Sequence, residues 1–211
     1  MSGKKTNSAE EKSDNGKPKG EVKIQVECQG KSPLLMQAMS VETIVNVLIR
    51  RQRQPAKTDL SLEEMAETCL YRENGNIGIP ATNLFSCLIE AGRHVAFSGK
   101  TKISTKDSTL LPSFLSIEEM FLPLTGAGKW KPDVRRGQMK DGTAVGIVRP
   151  MFKEWGFKVT LMVDLSETTE ATVKRLLEIA GRRVGLCSFR PQKRGPFGQF
   201  KISKWKVMGD N

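Results

Sequence analysis

Two stretches of this chain alternate apolar and polar side chains one by one, and that pattern limits the fold more than any other feature. In EVKIQVEC, Val22, Ile24, Val26 and Cys28 alternate with Glu21, Lys23, Gln25 and Glu27. In FKVTLMVD, Phe157, Val159, Leu161 and Val163 alternate with Lys158, Thr160, Met162 and Asp164. A period of two puts each set on one face of a strand, so both segments predict half-buried strands. Helical stripes accompany them. Pro80 opens a helix whose inner face is Leu84, Leu88, Ala91 and Val95. Ser166 caps another that carries Val173, Leu176, Leu177, Ala180 and Val184 and ends at Gly185. QFKISKWKV reads as the last strand. Strand–helix–strand thus occurs twice, which predicts an α+β fold, a ferredoxin-like (RRM-like) split βαβ sheet with loop insertions.

The remaining segments fill in around this frame. Residues 1–20 are polar and mixed in charge, and predict a disordered tail. Residues 21–211 are expected to form a single domain. Ser40 is placed to cap a helix with Ile44, Val47 and Leu48 inward and a basic end, RRQRQ, at 50–54. A short helix fits Leu62–Thr68, and Asn74-Gly75 signals a two-residue hairpin. Residues 98–112 and 126–143 read as long exposed loops, the latter containing KWKPDVRRGQMKDGT; LPSFLSIEEMFLPL and AVGIVRPMF read as strands. No run of 18 apolar residues occurs, so no membrane partner is expected. The N-terminus lacks the apolar stretch of a signal peptide, and a cytoplasmic protein is expected.

Charge is unevenly distributed. The net charge is +11. Residues 129–206 hold 18 Lys and Arg against 7 Asp and Glu, so the entire excess lies in the C-terminal third. A concentrated positive charge suits a polyanion, with nucleic acid first in line.

Catalytic and metal motifs are weak by contrast. Cys28, Cys69, Cys87 and Cys187 are scattered, with no C-x-x-C pair, so neither a metal site nor a disulfide framework is expected. AGRHVAFSGKT ends in Gly-Lys-Thr, but Gly92 and Gly99 have six residues between them rather than four, and the segment follows a helix instead of a strand. His94 is the only histidine; with Tyr71, the only tyrosine, it is the one candidate pair for RNA cleavage.

The densest motif is VGLCSFRPQKRGPFGQF. Gly185, Gly195 and Gly198 permit unusual backbone geometry, and free amides in such a loop can cradle an anion. Arg190, Lys193 and Arg194 add charge, and Phe189, Phe197 and Phe200 offer faces on which bases can stack, although Phe200 also starts the last strand and suits the core. A second cluster precedes it, with Trp130, Arg135, Arg136 and Arg149. Arginine beside tryptophan suits a sugar-phosphate backbone.

In these segments the chain resembles the RAMP superfamily, the repeat-associated proteins of CRISPR systems that include the backbone subunits of guide-RNA complexes. EVKIQVEC running into SPLLMQAM is similar to that family's first strand and loop. IGIPATNLFSCLIEAGRHV resembles the segment in which a Pro-Ala pair opens a helix. VGLCSFRPQKRGPFGQF matches the Gly-rich loop in type and place, though Phe-Arg-Pro and Gly-Pro-Phe-Gly stand where the family has a denser glycine run. Phage proteins of a related family are similar too. The resemblance implies one RAMP-like domain over 21–211, with Gly185, Arg190, Lys193, Arg194, Gly195 and Gly198 contacting a nucleic-acid backbone.

The expectation is therefore a binder of single-stranded nucleic acid, RNA more than DNA. Arg135, Arg136, Arg149, Arg190, Lys193 and Arg194 would grip phosphates, and Phe197 and Trp130 would stack bases. No catalysis and no cofactor are expected. Copies would assemble along the strand, the segments 98–112 and 126–143 reaching a neighbour. Two alternatives stand beside it: an endoribonuclease using His94, and a phage structural or assembly protein whose basic face meets an acidic protein.

Overall fold

A computed structural model describes residues 20–39, 41–49, 59–138 and 141–208. The expected tail, Ser40 and the basic run at 50–54 lie outside these residues, Gly20 excepted. The chain begins with β1 (Glu21–Gly30), β2 (Leu34–Leu35), α1 (Val41–Leu48) and α2 (Leu62–Glu67). The hairpin β3 (Arg72–Glu73) and β4 (Asn76–Pro80) leads into α3 (Ala81–Gly92). Next come β5 (Ala96–Ser98), β6 (Thr101–Lys102), α4 (Leu111–Phe114), β7 (Leu115–Ile117) and β8 (Phe121–Thr125). The last part holds β9 (Lys131–Gln138), β10 (Ala144–Phe152), β11 (Gly156–Asp164), α5 (Glu170–Ile179) and β12 (Phe200–Met208).

The fold is α+β. The main sheet runs β12-β1-β11-β8-β4-β3, with β7 also paired to β11. Among β1, β8, β11 and β12 the spatial order is fourth, first, third, second, and every neighbour is antiparallel. Helix α3 lies in sequence between the first two of these strands and α5 between the last two. A second sheet, β2-β10-β9, stands beside the first.

Both alternating segments behave as their period dictates. Ile24, Val26 and Cys28 of β1, and Phe157, Val159, Leu161 and Val163 of β11, are buried in one cluster with Leu84, Leu88 and Ala91 of α3 and Val173, Leu176 and Leu177 of α5. Each such side chain removed from water contributes about 1.5–3 kcal/mol. Phe157 meets Phe200 edge-on at 5.4 Å and lies parallel to Trp155 at 6.2 Å. Trp155 satisfies its indole N–H by donating to the Ser32 carbonyl at 2.8 Å. Asn74 and Gly75 both have positive φ, as a primed two-residue turn requires.

Several local expectations are corrected. Ser166 does not cap α5. The Asp164 carboxylate accepts from both its N–H and its hydroxyl, so it belongs to a turn, and Thr169 caps the helix by accepting from Thr172 N–H at 3.2 Å. The segment 98–112 is not a plain exposed loop: it continues the β5–β6 hairpin, and Ile103 is fully buried. The segment 126–143 contains β9, paired over its whole length with β10. Ile44 and Leu48 of α1, expected to face inward, are instead 43% and 74% exposed.

The pairing of β12 with β1 slips by one residue. Ile202 faces Cys28 and Lys204 faces Glu27, leaving Ser203 as a bulge.

Candidate nucleic-acid interface

Helix α5 does not stop cleanly at the Gly-rich loop. Its last turn widens over residues 180–184, and Gly185 N–H donates back to the Ala180 carbonyl, an i to i+5 bond. The buried Cys87 thiol reaches the carbonyls of Ala180 and Gly185 at 3.6 and 3.3 Å, covering the helix end. Gly185 then turns with φ of 77°.

From there the loop is tied to itself and to the β1–β2 connection. Leu186 N–H donates to the Gly198 carbonyl, Ser188 N–H to Leu35 and Gly198 N–H to Pro33. Within the tip, Lys193 and Gly195 N–H both donate to Arg190, Arg194 N–H to Pro191, and Phe197 N–H to Phe189. These amides are occupied, so the loop does not offer them as the bare anion cradle expected from sequence. The glycines have another task. A Cβ on Gly195 would collide with the Phe189 carbonyl, and one on Gly198 with the Leu186 carbonyl. They permit close backbone approach and thereby fix where the side chains point.

Those side chains line a concavity of about 300 Å³. Its rim is Phe189, Arg190 and Lys193; its floor is Gln37, Tyr71 and Asn83. No carboxylate is among its lining residues. The floor is wired: Tyr71 hydroxyl donates to the Gln37 carbonyl at 3.2 Å, while Gln37 Oε1 accepts from Ser188 Oγ at 3.0 Å and Arg149 Nε at 3.1 Å. Burial pushes the Tyr71 phenol up, which keeps it a hydrogen-bond donor at neutral pH. Arg190 is pre-positioned. Its Nη1 donates to the Cys187 carbonyl at 2.7 Å, and Nε and Nη2 both donate to Gln192 Oε1. Lys193 and Arg194 are exposed.

The β9–β10 hairpin joins this loop through one contact. The Arg135 guanidinium lies over the Phe197 ring, 4.8 Å from its centroid, and also makes a two-pronged bond to Asp133 at 2.7 and 2.9 Å. That bond to Asp133 holds its charge above the usual arginine range. Arg136 is exposed, and strand alternation sends it to the opposite face of β9.

The sequence-derived site therefore splits. Arg135, Arg190, Lys193 and Arg194 gather around the loop, shaped by Gly185, Gly195 and Gly198. Phe197, expected to stack bases, is 7% exposed and sandwiched between Arg135 and Phe189; the outward ring is Phe189, at 36%. Arg149, expected to grip phosphate, is buried at 9% beneath Gln37, and burial pulls its pKa down. Trp130 is half-buried against the core. His94 is exposed past the end of α3 and Asn83 sits in its first turn, so at 1.5 Å per residue they are about 16 Å apart. Gln37 and Asn83 were missed as site residues. Tyr71 was named only beside His94, and Phe189 only as one of three stacking faces in the loop.

No family model matches the chain, and no curated protein matches it. Among solved structures it is similar to a chain of the Type III-B Cmr-beta structure, determined by cryo-EM bound to cognate target RNA. The match has a TM-score of 0.50 at 9% sequence identity, and covers 90% of this chain and 61% of that one. At that identity the likeness concerns the fold.

Proposed function

We propose that this protein binds single-stranded nucleic acid, RNA in preference to DNA, at the concavity beside the Gly-rich loop. One observation carries the reading: Arg190 and Lys193 stand with the exposed Phe189 around a concavity lined by no carboxylate, with Arg194 beside them. Cations take the phosphates, Phe189 supplies the stacking face in place of Phe197, and Tyr71, Gln37 and Asn83 present hydrogen-bonding groups to a base or ribose. The sheet order is that of a ferredoxin-related domain, and the neighbour of similar fold was solved with RNA; both support a RAMP-like role. The distance of about 16 Å along α3 from His94 to Asn83 of the concavity favours binding over cleavage there. Exposed Ile44, Val45, Leu48 and Ile49 on and beside α1 give a neighbouring copy something to cover, which supports assembly along the strand.

A titration with labelled 30-nucleotide strands at two salt concentrations tests this. Binding is expected at low salt and to weaken steeply as salt rises, because each neutralised phosphate releases counterions. The double variant Arg190→Ala, Arg194→Ala should bind at least tenfold more weakly. An absence of binding at low salt would sink the proposal; a double variant equal to the parent would remove the loop from it.

A further inference from the structure

We infer that the open face of the main sheet, opposite α3 and α5, is a second nucleic-acid surface, one that carries the sugar-phosphate backbone of a single strand without reading its bases. It is separate from the loop concavity and shares with that reading only the class of partner.

The bulge at Ser203 builds this face. In an unbroken strand, Lys201, Ser203 and Trp205 would share one side, and Lys204 and Lys206 would point with Phe200 over the helices. The slip at Ser203 inverts the alternation. Ser203 Oγ donates to the Glu27 carbonyl at 2.9 Å, satisfying a group that the broken ladder would orphan. Beyond it Trp205 turns to the helices, its indole N–H donating to Glu170 of α5 at 2.7 Å. Lys204 and Lys206 thereby join Lys201 on the open side.

Neighbouring strands complete the pattern. Register places Lys204, Glu27 and Lys158 in one row across β12, β1 and β11. Glu27 bonds Lys158 at 3.1 Å and Lys204 at 3.2 Å, so one carboxylate holds two ammonium groups on either side of β1. Both lysines remain largely in water, at 67% and 73% exposed. Lys23 pairs with Glu118 at the far end. Five lysines thus meet Glu27 and Glu118, with two more carboxylates, Glu21 and Asp164, opposite each other at the far end; the excess lies on β12, where Lys201 to Lys206 lie opposite Gln29 to Gln25 of β1, about 14 Å at ~3.4 Å per residue.

The chemistry selects the partner. By register the strands that carry the lysine rows, β12, β1 and β11, have no aromatic side chain on this face; Phe121 of β8 shares the face but packs over Gly78 of β4, away from the rows, which therefore have nothing on which bases stack. The rows also lack the aromatic anchors on which protein interfaces are built, and lysine is the residue such interfaces avoid. Exposed Gln25 and Gln29 lie between the lysine rows and can donate to phosphate or sugar oxygens. Beside β1, a dent of about 340 Å³ adds Thr125, Ser203 and the neighbouring pair Lys153 and Glu154. A flat lysine lattice with amides and hydroxyls between suits a repeating phosphate chain.

The experiment is amine acetylation read by mass spectrometry, with and without a 30-nucleotide oligouridine. Lys158, Lys201, Lys204 and Lys206 should be protected, while Lys100 and Lys106 should label equally in both. The triple variant Lys201→Gln, Lys204→Gln, Lys206→Gln should lower the salt slope of binding by about 2, at ~0.7 per lost phosphate contact. Its melting should match the parent, since these side chains are exposed. If the loop double variant binds as the parent does while the lysines stay protected, the loop reading falls and this surface stands. If the parent binds but these lysines label equally, or the triple variant keeps the parent slope, this surface is overturned and the loop reading stands. Protection by polyglutamate but not by oligouridine also overturns it, in favour of an acidic protein.

Discussion

At the Gly-rich loop three of the four cations, Arg135, Arg190 and Arg194 beside Lys193, are arginines, two of them with fixed partners; across the open sheet face they are lysines with few. Arg190 makes three hydrogen bonds inside the loop, and Arg135 is held by Asp133 and the Phe197 ring. The lysines share Glu27 and otherwise project into water. Planar guanidinium groups fixed around a concavity can discriminate shapes, whereas flexible ammonium groups on a flat lattice register only charge. The difference predicts two modes of attachment, one demanding and one permissive.

The largest effect comes from removing the shared support. Phe157→Ala opens the aromatic cluster beneath both surfaces and should cost about 3–5 kcal/mol in denaturant unfolding, with both modes of binding lost. Next, Gly195→Ala forces a methyl onto the Phe189 carbonyl; it should cost about 1–3 kcal/mol and weaken binding tenfold or more, with lysine protection on the sheet intact. A variant as stable as the parent would show that the loop has room to open. Smaller still, Arg135→Lys keeps the charge but loses the two-pronged bond and the stacked plane, and should weaken strand binding a few-fold in a titration.

The smallest effect belongs to Glu27. Its bonds to Lys158 and Lys204 hold the carboxyl below its ordinary value of 4.5. A depressed carboxylate is ionised above its unfolded pKa and loses its stabilising interaction as pH falls through the lower folded value. Binding should therefore show no Glu27-dependent step between pH 7 and 4.5, and should tighten only below that range as the lysines are released. Glu27→Gln should tighten binding about twofold at pH 7 and abolish the acid step. An acid step that persists in the variant assigns it to another group.

The frame of the fold was legible because burial writes a period into a strand or helix. Val22 to Cys28, Phe157 to Val163 and the stripe from Val173 to Leu177 could be placed from residue order alone. Segments failed where burial leaves no period. Strand β9 is exposed along most of its length, so KPDVRRGQ reads as a polar loop, although β10 pairs with it throughout. Ile44 and Leu48 satisfy a helical stripe, yet no sequence pattern says whether a partner lies beneath. Ser166 and Thr169 are both hydroxyl residues ahead of α5, and only the position of Asp164 decides between them.

The candidate site followed the same rule. Its charges were visible as composition, but its floor was not. Gln37, Tyr71 and Asn83 sit on separate elements that only the topology brings together. Phe189 and Phe197 are equivalent in sequence. Phe189 has a positive φ of 49° and Phe197 N–H donates to its carbonyl, which turns one ring out and the other in.

The Ser203 bulge has an optical consequence. By sending Trp205 to the helix side, it sets an indole against Glu170 and 5.8 Å from the Lys174 ammonium, on the back of the strand that carries Lys204 and Lys206. Trp155 is sealed in the core and Trp130 lies ahead of the hairpin that reaches the loop. The three tryptophans therefore occupy three environments, with emission maxima that should separate. Single-tryptophan versions would turn the protein into its own label-free sensor, Trp130 for events at the loop and Trp205 for strain passed through β12.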